Sequence, residues 1–467
     1  MVAPVQAMRE LLPVFFCLIV VSMLASPVNA VPPAAFTDDD AMDLLGHTFD
    51  EEHWTCEEVP FERNGATGSF SMSYAQYKSV DTFLIAFNTL EKDDKVGTVP
   101  YQLFGLHYYT PEGYEVFIGA VLAFMMAFND TYDGTGEGQN GLPDPGHEDY
   151  YYVIPFGVGD TLAEEDYVPE VEPVAVQKLG EGHFRFGQRY TNMYAKVVGA
   201  NDPVEFLLSA ALPLYIAKFS EFTVEYDVEI DEEAGTVKAE TFYTIGAVEK
   251  LWLWGVEVDP SELDENMGLA VAHYVVPFVN GVPFRDSDGQ FDVTGNVTAS
   301  MDEDVHMSVN DGQERAFTIG HRGKYDLVDE GNGNKVREGE DATALTLQAT
   351  LADAILVGWQ AAFSLDVFCT AAWAVSESMQ DLYTGPKALW QVAPFTIFTA
   401  TPLWYATSFP GWQGYRVEHD PTYTGYADVD YVETVPEERT PGFSGLLLLG
   451  AIAVPTTIYF ALGRRQY

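Results

Sequence analysis

Basic residues are scarce in this chain. Lysine and arginine total 23 of 467 residues, against 71 aspartates and glutamates, for a formal net charge of −48. An excess of that size repels a phosphate backbone and argues against a nucleic-acid partner. Cysteine is scarcer still, at three residues, which excludes a disulfide-dense scaffold and a cysteine-rich zinc module. The sequence holds no G-x-S-x-G nucleophile elbow, no G-x-x-x-x-G-K-[ST] phosphate loop, no H-E-x-x-H helix and no EF-hand core. No repeat of solenoid period is found either. Paired carboxylates for glycoside hydrolysis stay chemically open, but with acids this abundant no pair stands out. No catalytic residue is therefore assigned, and a non-enzyme is favoured. What is abundant is apolar and aromatic: 47% hydrophobic and 14% aromatic residues mark a folded chain, not an acidic disordered tail.

The apolar residues alternate with polar ones in the manner of strands. Residues 68–74 place Phe70, Met72 and Tyr74 on one face. Residues 222–230 alternate, turn at 231–235 and return over 236–243, a hairpin pattern; residues 274–278 and 282–284 flank Asn280-Gly281 in the same way. Further strands are expected within 82–87, 101–109, 291–299, 305–309 and 344–351. The apolar run 116–128 is short for a membrane span and reads as a buried helix or strand. The expected fold class is mainly β, a sandwich-like ectodomain with some helix. The expected organisation is a signal peptide over 1–30, an acidic lead-in over 31–66 and a first β-rich region over 67–160. An acidic connector over 161–181 and a second β-rich region over 182–434 follow. A stalk over 435–443, a transmembrane helix over 444–463 and a basic end over 464–467 close the chain.

Several residues are candidates for chemistry. The glycine-rich acidic run 129–149 carries Asp130, Asp133, Asn140 and Asp144, and calcium takes six to eight oxygens of this kind. The run is either a solvated acidic turn or a calcium loop, and no other cofactor is indicated. His47 and His53 flank acids near Cys56, but a solvated lead-in accounts for them. If Cys17 leaves with the signal, Cys56 and Cys369 remain as a disulfide pair in an oxidising place, or as two buried thiols. Asn129 and Asn296 begin glycosylation sequons. Trp252, Trp254, Trp390, Trp404, Tyr405 and Trp412 are either core or a platform for stacking sugar rings.

The two ends set the expected topology. Residues 11–25 form an apolar run, followed by Val28-Asn29-Ala30 at the positions of signal cleavage. Residues 444–462 carry no charge, enough for a helix across about 30 Å of hydrocarbon. Arg464 and Arg465 follow, which keeps this end cytoplasmic and the bulk of the chain outside. Pro441-Gly442-Phe443 stands just before the apolar helix. This arrangement resembles the PGF-CTERM sorting signal of archaeal surface proteins, although the tail continues with Gln466-Tyr467 beyond the arginines. The resemblance covers only residues 440–467. It implies processing by an archaeosortase and transfer to a membrane lipid. A halophilic archaeon fits both that tail and the acid, because salt at 1 M shortens charge repulsion to about 3 Å. The expected function is a non-catalytic, membrane-anchored surface glycoprotein, an envelope component or a module for adhesion to a surface glycan or protein. The competing expectations are an anchored secreted hydrolase and a polytopic membrane protein using the uncharged stretch 388–415.

Overall fold

A computed structural model describes residues 52–63, 66–92, 95–97, 102–111, 115–131, 139–143, 151–155, 170–199, 205, 208–209, 214–279, 282–283, 297–301, 307–311, 314–319, 323–346, 403–421 and 425–430. These residues are mainly β, as the alternation predicts. The described strand pairings are antiparallel and build two sheets.

The first sheet starts with β1 (His53–Arg63), β2 (Ala66–Tyr77) and β3 (Val80–Lys92), with β4 (Lys95–Gly97) pairing the end of β3. It continues through β5 (Gln102–Tyr109) and β6 (Glu115–Asn129). Alongside β6 lies β7 (Tyr151–Pro155). In the second sheet, β8 (Glu170–Gly180), β9 (His183–Gly199) and β10 (Tyr215–Asp231) are neighbours. The far side of β10 is shared by β11 (Thr236–Ile245) and β12 (Val248–Leu253), and β13 (Val256–Val258) folds back on β12. The chain then returns to the first sheet as β14 (Met267–Val279), which pairs β6 and turns into β15 (Val282–Pro283).

The second sheet is completed by β16 (Val297–Met301), β17 (Met307–Asp311), β18 (Glu314–Ile319), β19 (Lys324–Asp329) and β20 (Asn334–Glu340). Next, β21 (Ala342–Thr346) and β22 (Leu403–Phe409) extend the first sheet beyond β14. Last, β23 (Arg416–Asp420) and β24 (Gly425–Asp428) lie along β11 and join it to β19 and β18. The pairing of β7 with β9 stitches the two sheets at one corner.

The sheets pack face to face over one core. Phe104 of β5 stacks on Tyr226 of β10 with centroids 4.5 Å apart and planes 7° from parallel. Along β10, Phe222, Val224, Tyr226, Val228 and Ile230 enter this core, while Glu225 and Glu229 do not. The core draws on strands from residue 75 through residue 429, so both expected β-rich regions contribute to it. Two expected boundaries shift. The connector 161–181 contains β8, and the lead-in 31–66 contains all of β1. The run 116–128 is strand, held between β5 and β14. In β2 the serine face, not the Phe70–Tyr74 face, meets the second sheet: Ser71 Oγ donates to Gln188 Oε1 at 2.8 Å.

The strands are long enough to give the sandwich two distinct ends. At one end lie the β2–β3, β8–β9 and β10–β11 turns: Tyr77 donates to Glu181 and Glu232, and Ile230 N donates to Gly182 O. The chain enters and leaves the described residues at this same end. Gln76 N donates to Glu52 O, Val429 N to Gly235 O, and Asp430 N to Tyr109 O. At the other end β10 begins at Tyr215, level with Val197 and Leu253. Since β10 has 17 residues, the ends are about 50 Å apart.

Candidate functional site

The end opposite residues 52 and 430 carries the most exposed aromatic among the described residues. Leu253 and Val256 pair across the β12–β13 hairpin. Trp254 and Gly255 close it with φ of 54° and 74°. Positive φ at both central residues is the twist a tight hairpin needs, and asparagine or glycine usually supplies the first of them. A tryptophan there costs roughly 1 kcal/mol of backbone strain. It is nonetheless 62% exposed, beside Val256 at 64%.

The tryptophan is held from beneath. Its ring meets the Tyr215 ring at 79°, with 5.8 Å between centroids. The Tyr215 hydroxyl donates to Glu205 Oε1 at 2.7 Å, and Tyr152 packs edge-on against the same tyrosine at 5.8 Å. Burial and then the Glu205 carboxylate push the Tyr215 phenol well above its ordinary value, so it stays a neutral donor. The Glu205 carboxylate lies over Gly199, where a Cβ would collide with it. Ser209 Oγ donates to Glu205 O and accepts from Gly199 N, which fixes the turn.

On the outer face of the second sheet, next to this hairpin, Trp252 stacks on Tyr194 at 6.1 Å. Lys250 sits over Trp252 and Lys218 over Tyr194. Lys218 also pairs with Glu249 at 2.7 Å. These ring faces are thus already occupied, and the stack stiffens the base of the hairpin.

Three carboxylate–histidine pairs lie elsewhere. Asp341 Oδ2 meets His419 Nε2 at 2.7 Å, fully inside the sandwich. Asp81 meets His107 at 3.2 Å and also accepts from Tyr74 and Gln76. Burial alone would raise the Asp81 carboxyl, but His107, Tyr74 and Gln76 outweigh it and hold the group below its ordinary value. Asp227 binds His183 at 2.5 Å and accepts two hydrogen bonds from Arg185. Neither of the first two pairs opens to solvent.

The expected site residues are distributed as follows. Asp130 is buried at the end of β6, where its carboxylate accepts Asn140 N at 3.1 Å and Gly141 N at 3.0 Å. Asn140 Oδ1 in turn accepts Leu142 N. Asp130 and Asn140 therefore brace the loop's own backbone. Asp133 and Asp144 lie outside the described residues, and among the described residues no group of three or more metal-ligating side chains is assembled. Asn129 is turned inward at 6% exposure, and Asn296 lies outside the described residues. Cys56 is half-buried in β1, and burial raises its thiol; Cys369 lies outside. Pro441, Gly442, Phe443, Arg464 and Arg465 lie outside as well. Of the tryptophans, Trp412 is core, stacked on Phe219 at 6.2 Å, and Trp404 belongs to β22 beside β14. The described part of the uncharged stretch 388–415 is thus strand and turn, and no helix among the described residues is long and apolar enough to cross a membrane. Sequence reading missed Tyr152, Tyr194, Glu205 and Tyr215, whose partners are distant in the chain. The Trp254-Gly255 step between two apolar runs was the one local signal of an exposed hairpin tip. The chain matches no protein-family model, and no curated protein or solved structure is similar to it.

Proposed function

We propose that the chain is a non-catalytic surface protein of a halophilic archaeon, exported by its N-terminal signal and held at the outer face of the membrane by its C-terminal segment. The observation that carries this reading is the sequence 441–465: Pro-Gly-Phe, one uncharged helix length, then two arginines. An anchor needs only the apolar length and the basic flank. The fixed tripeptide has a use if an archaeosortase-like enzyme grips it, because proline disfavours helix and glycine permits conformations other residues resist. The net charge of −48 supports the same address, since spread acid keeps a protein solvated and dispersed in brine. Calcium held by the 129–149 loop, a Cys56–Cys369 bridge and glycans on the two sequons belong to this proposal as secondary features. Proteinase treatment of intact cells tests the topology. An outer-face protein loses its sandwich epitopes while a cytoplasmic marker survives. Sandwich epitopes protected until the cells are lysed contradict the reading.

A further inference from the structure

We propose that the end of the sandwich opposite residues 52 and 430 binds a neutral pyranose glycan, with Trp254 as its stacking platform. Folding alone does not call for this tryptophan. Asparagine or glycine would close the β12–β13 hairpin without strain, yet the position holds a 62% exposed indole at φ 54°. The ring is also positioned, not loose. Tyr215 packs against it at 79°, and Glu205 and Tyr152 fix that tyrosine in turn. A flat ring so braced and still 62% exposed offers surface to the flat C–H side of a pyranose, with little ordering entropy left to lose on binding.

Charge selects the class of ligand. Glu257 lies across from Trp252 beside the tip, and Glu205 lies beneath it. Of the two lysines nearby, Lys218 is paired with Glu249 and Lys250 lies over the face of Trp252, so the balance at the tip and of the whole chain is acidic. Carboxylates accept hydrogen bonds from sugar hydroxyls but repel uronates, sulfated sugars and anionic headgroups. A second copy of this chain would bring a second charge of −48 to the contact. Position agrees. Residues 52 and 430 lie at the other end of strands about 50 Å long. On the anchoring proposed above, on which only this orientation rests, the tip points away from the membrane.

The test is calorimetric titration of the full chain in detergent micelles at molar salt. The probes are the β-1,4-linked hexamers of glucose and N-acetylglucosamine, with the β-1,4-linked hexamer of glucuronate as the anionic comparison. At least one neutral hexamer should bind and the anionic one should not. Trp254→Asn should weaken binding by about tenfold or more with an unchanged or higher Tm, because asparagine accepts the left-handed turn. Trp254→Phe should fall between. No binding of either neutral hexamer, or equal binding by Trp254→Asn, overturns the proposal. So does a Trp254-dependent dimer in sedimentation, or Trp254-dependent binding to anionic vesicles. Because binding is read in solution, its failure leaves the anchoring reading untouched, and a failure of anchoring leaves the titration interpretable.

Discussion

His273 has the most perturbed histidine environment among the described residues. Its side chain lies inside the sandwich, with Nδ1 3.3 Å from the Tyr243 hydroxyl. Burial alone lowers its pKa from 6.5 to about 3. The folded imidazole therefore stays neutral where the unfolded one takes a proton. Stability from this group is complete above pH 6.5, falls as the unfolded chain protonates below it, and levels off near pH 3. The slope it contributes is up to about 1.4 kcal/mol per pH unit. Denaturant titrations of the wild type and His273→Gln between pH 6.5 and 5 check this, in a window above most carboxylate titration. The variant should be less stable at pH 7 but show a flatter slope, by about one proton. Equal slopes contradict the buried neutral state. Asp341 is bound on the same side of the core by His419 and by Gly323 N, and a Cβ on Gly323 would strike His419 Nε2.

Among the elements, aromatic rings repeatedly cover glycines directly across a strand pair. Phe83 lies over Gly105, Phe128 over Gly268 and Tyr325 over Gly339. Each glycine gives the ring space that any Cβ would take. Gly105→Ala should therefore displace Phe83 and lower stability by about 1–3 kcal/mol, read as a drop in Tm. An unchanged Tm would show that the ring moves without cost. The hairpins were legible because alternation and turn residues are local: 222–243 and the Asn280-Gly281 turn follow the register seen in β10–β11 and β14–β15. The inward serines of β2 were not, since Phe70, Met72 and Tyr74 are buried too and the first sheet is covered on both faces there. Strand β8 was hidden for a different reason. Its acids and Pro173 look like linker, yet it sits at the margin of the second sheet, held by β9 and tied to β1 by Thr55 and by Lys178–Glu52.

At the scale of the whole molecule, cations are placed where they do most. Arg416 bridges Glu221, Glu330 and Glu418, and Arg189 binds Glu221 from the other side. Arg185 joins Asp227 to the face of Phe242 at 4.7 Å. These arginines pair with only a few of the 71 aspartates and glutamates, and the chain still carries a net charge of −48. Transfer from 2 M to 0.1 M monovalent salt should therefore destabilise the chain by several kcal/mol, on the order of 10 °C in Tm. A calorimetric scan that is flat with salt contradicts a chain adapted to brine. The sandwich has its first and last described residues at one end and Trp254 at the other. Mass spectrometry of the mature C-terminus, on protein purified from membranes of a host with the archaeosortase, tests most directly the central claim that the chain is held by its tail. Processing at the Pro441-Gly442-Phe443 signal should remove Arg464 and Arg465 and leave a lipid-modified end, and Gly442→Ala should block it. Mature wild-type protein that still ends at an unmodified Tyr467 contradicts the account.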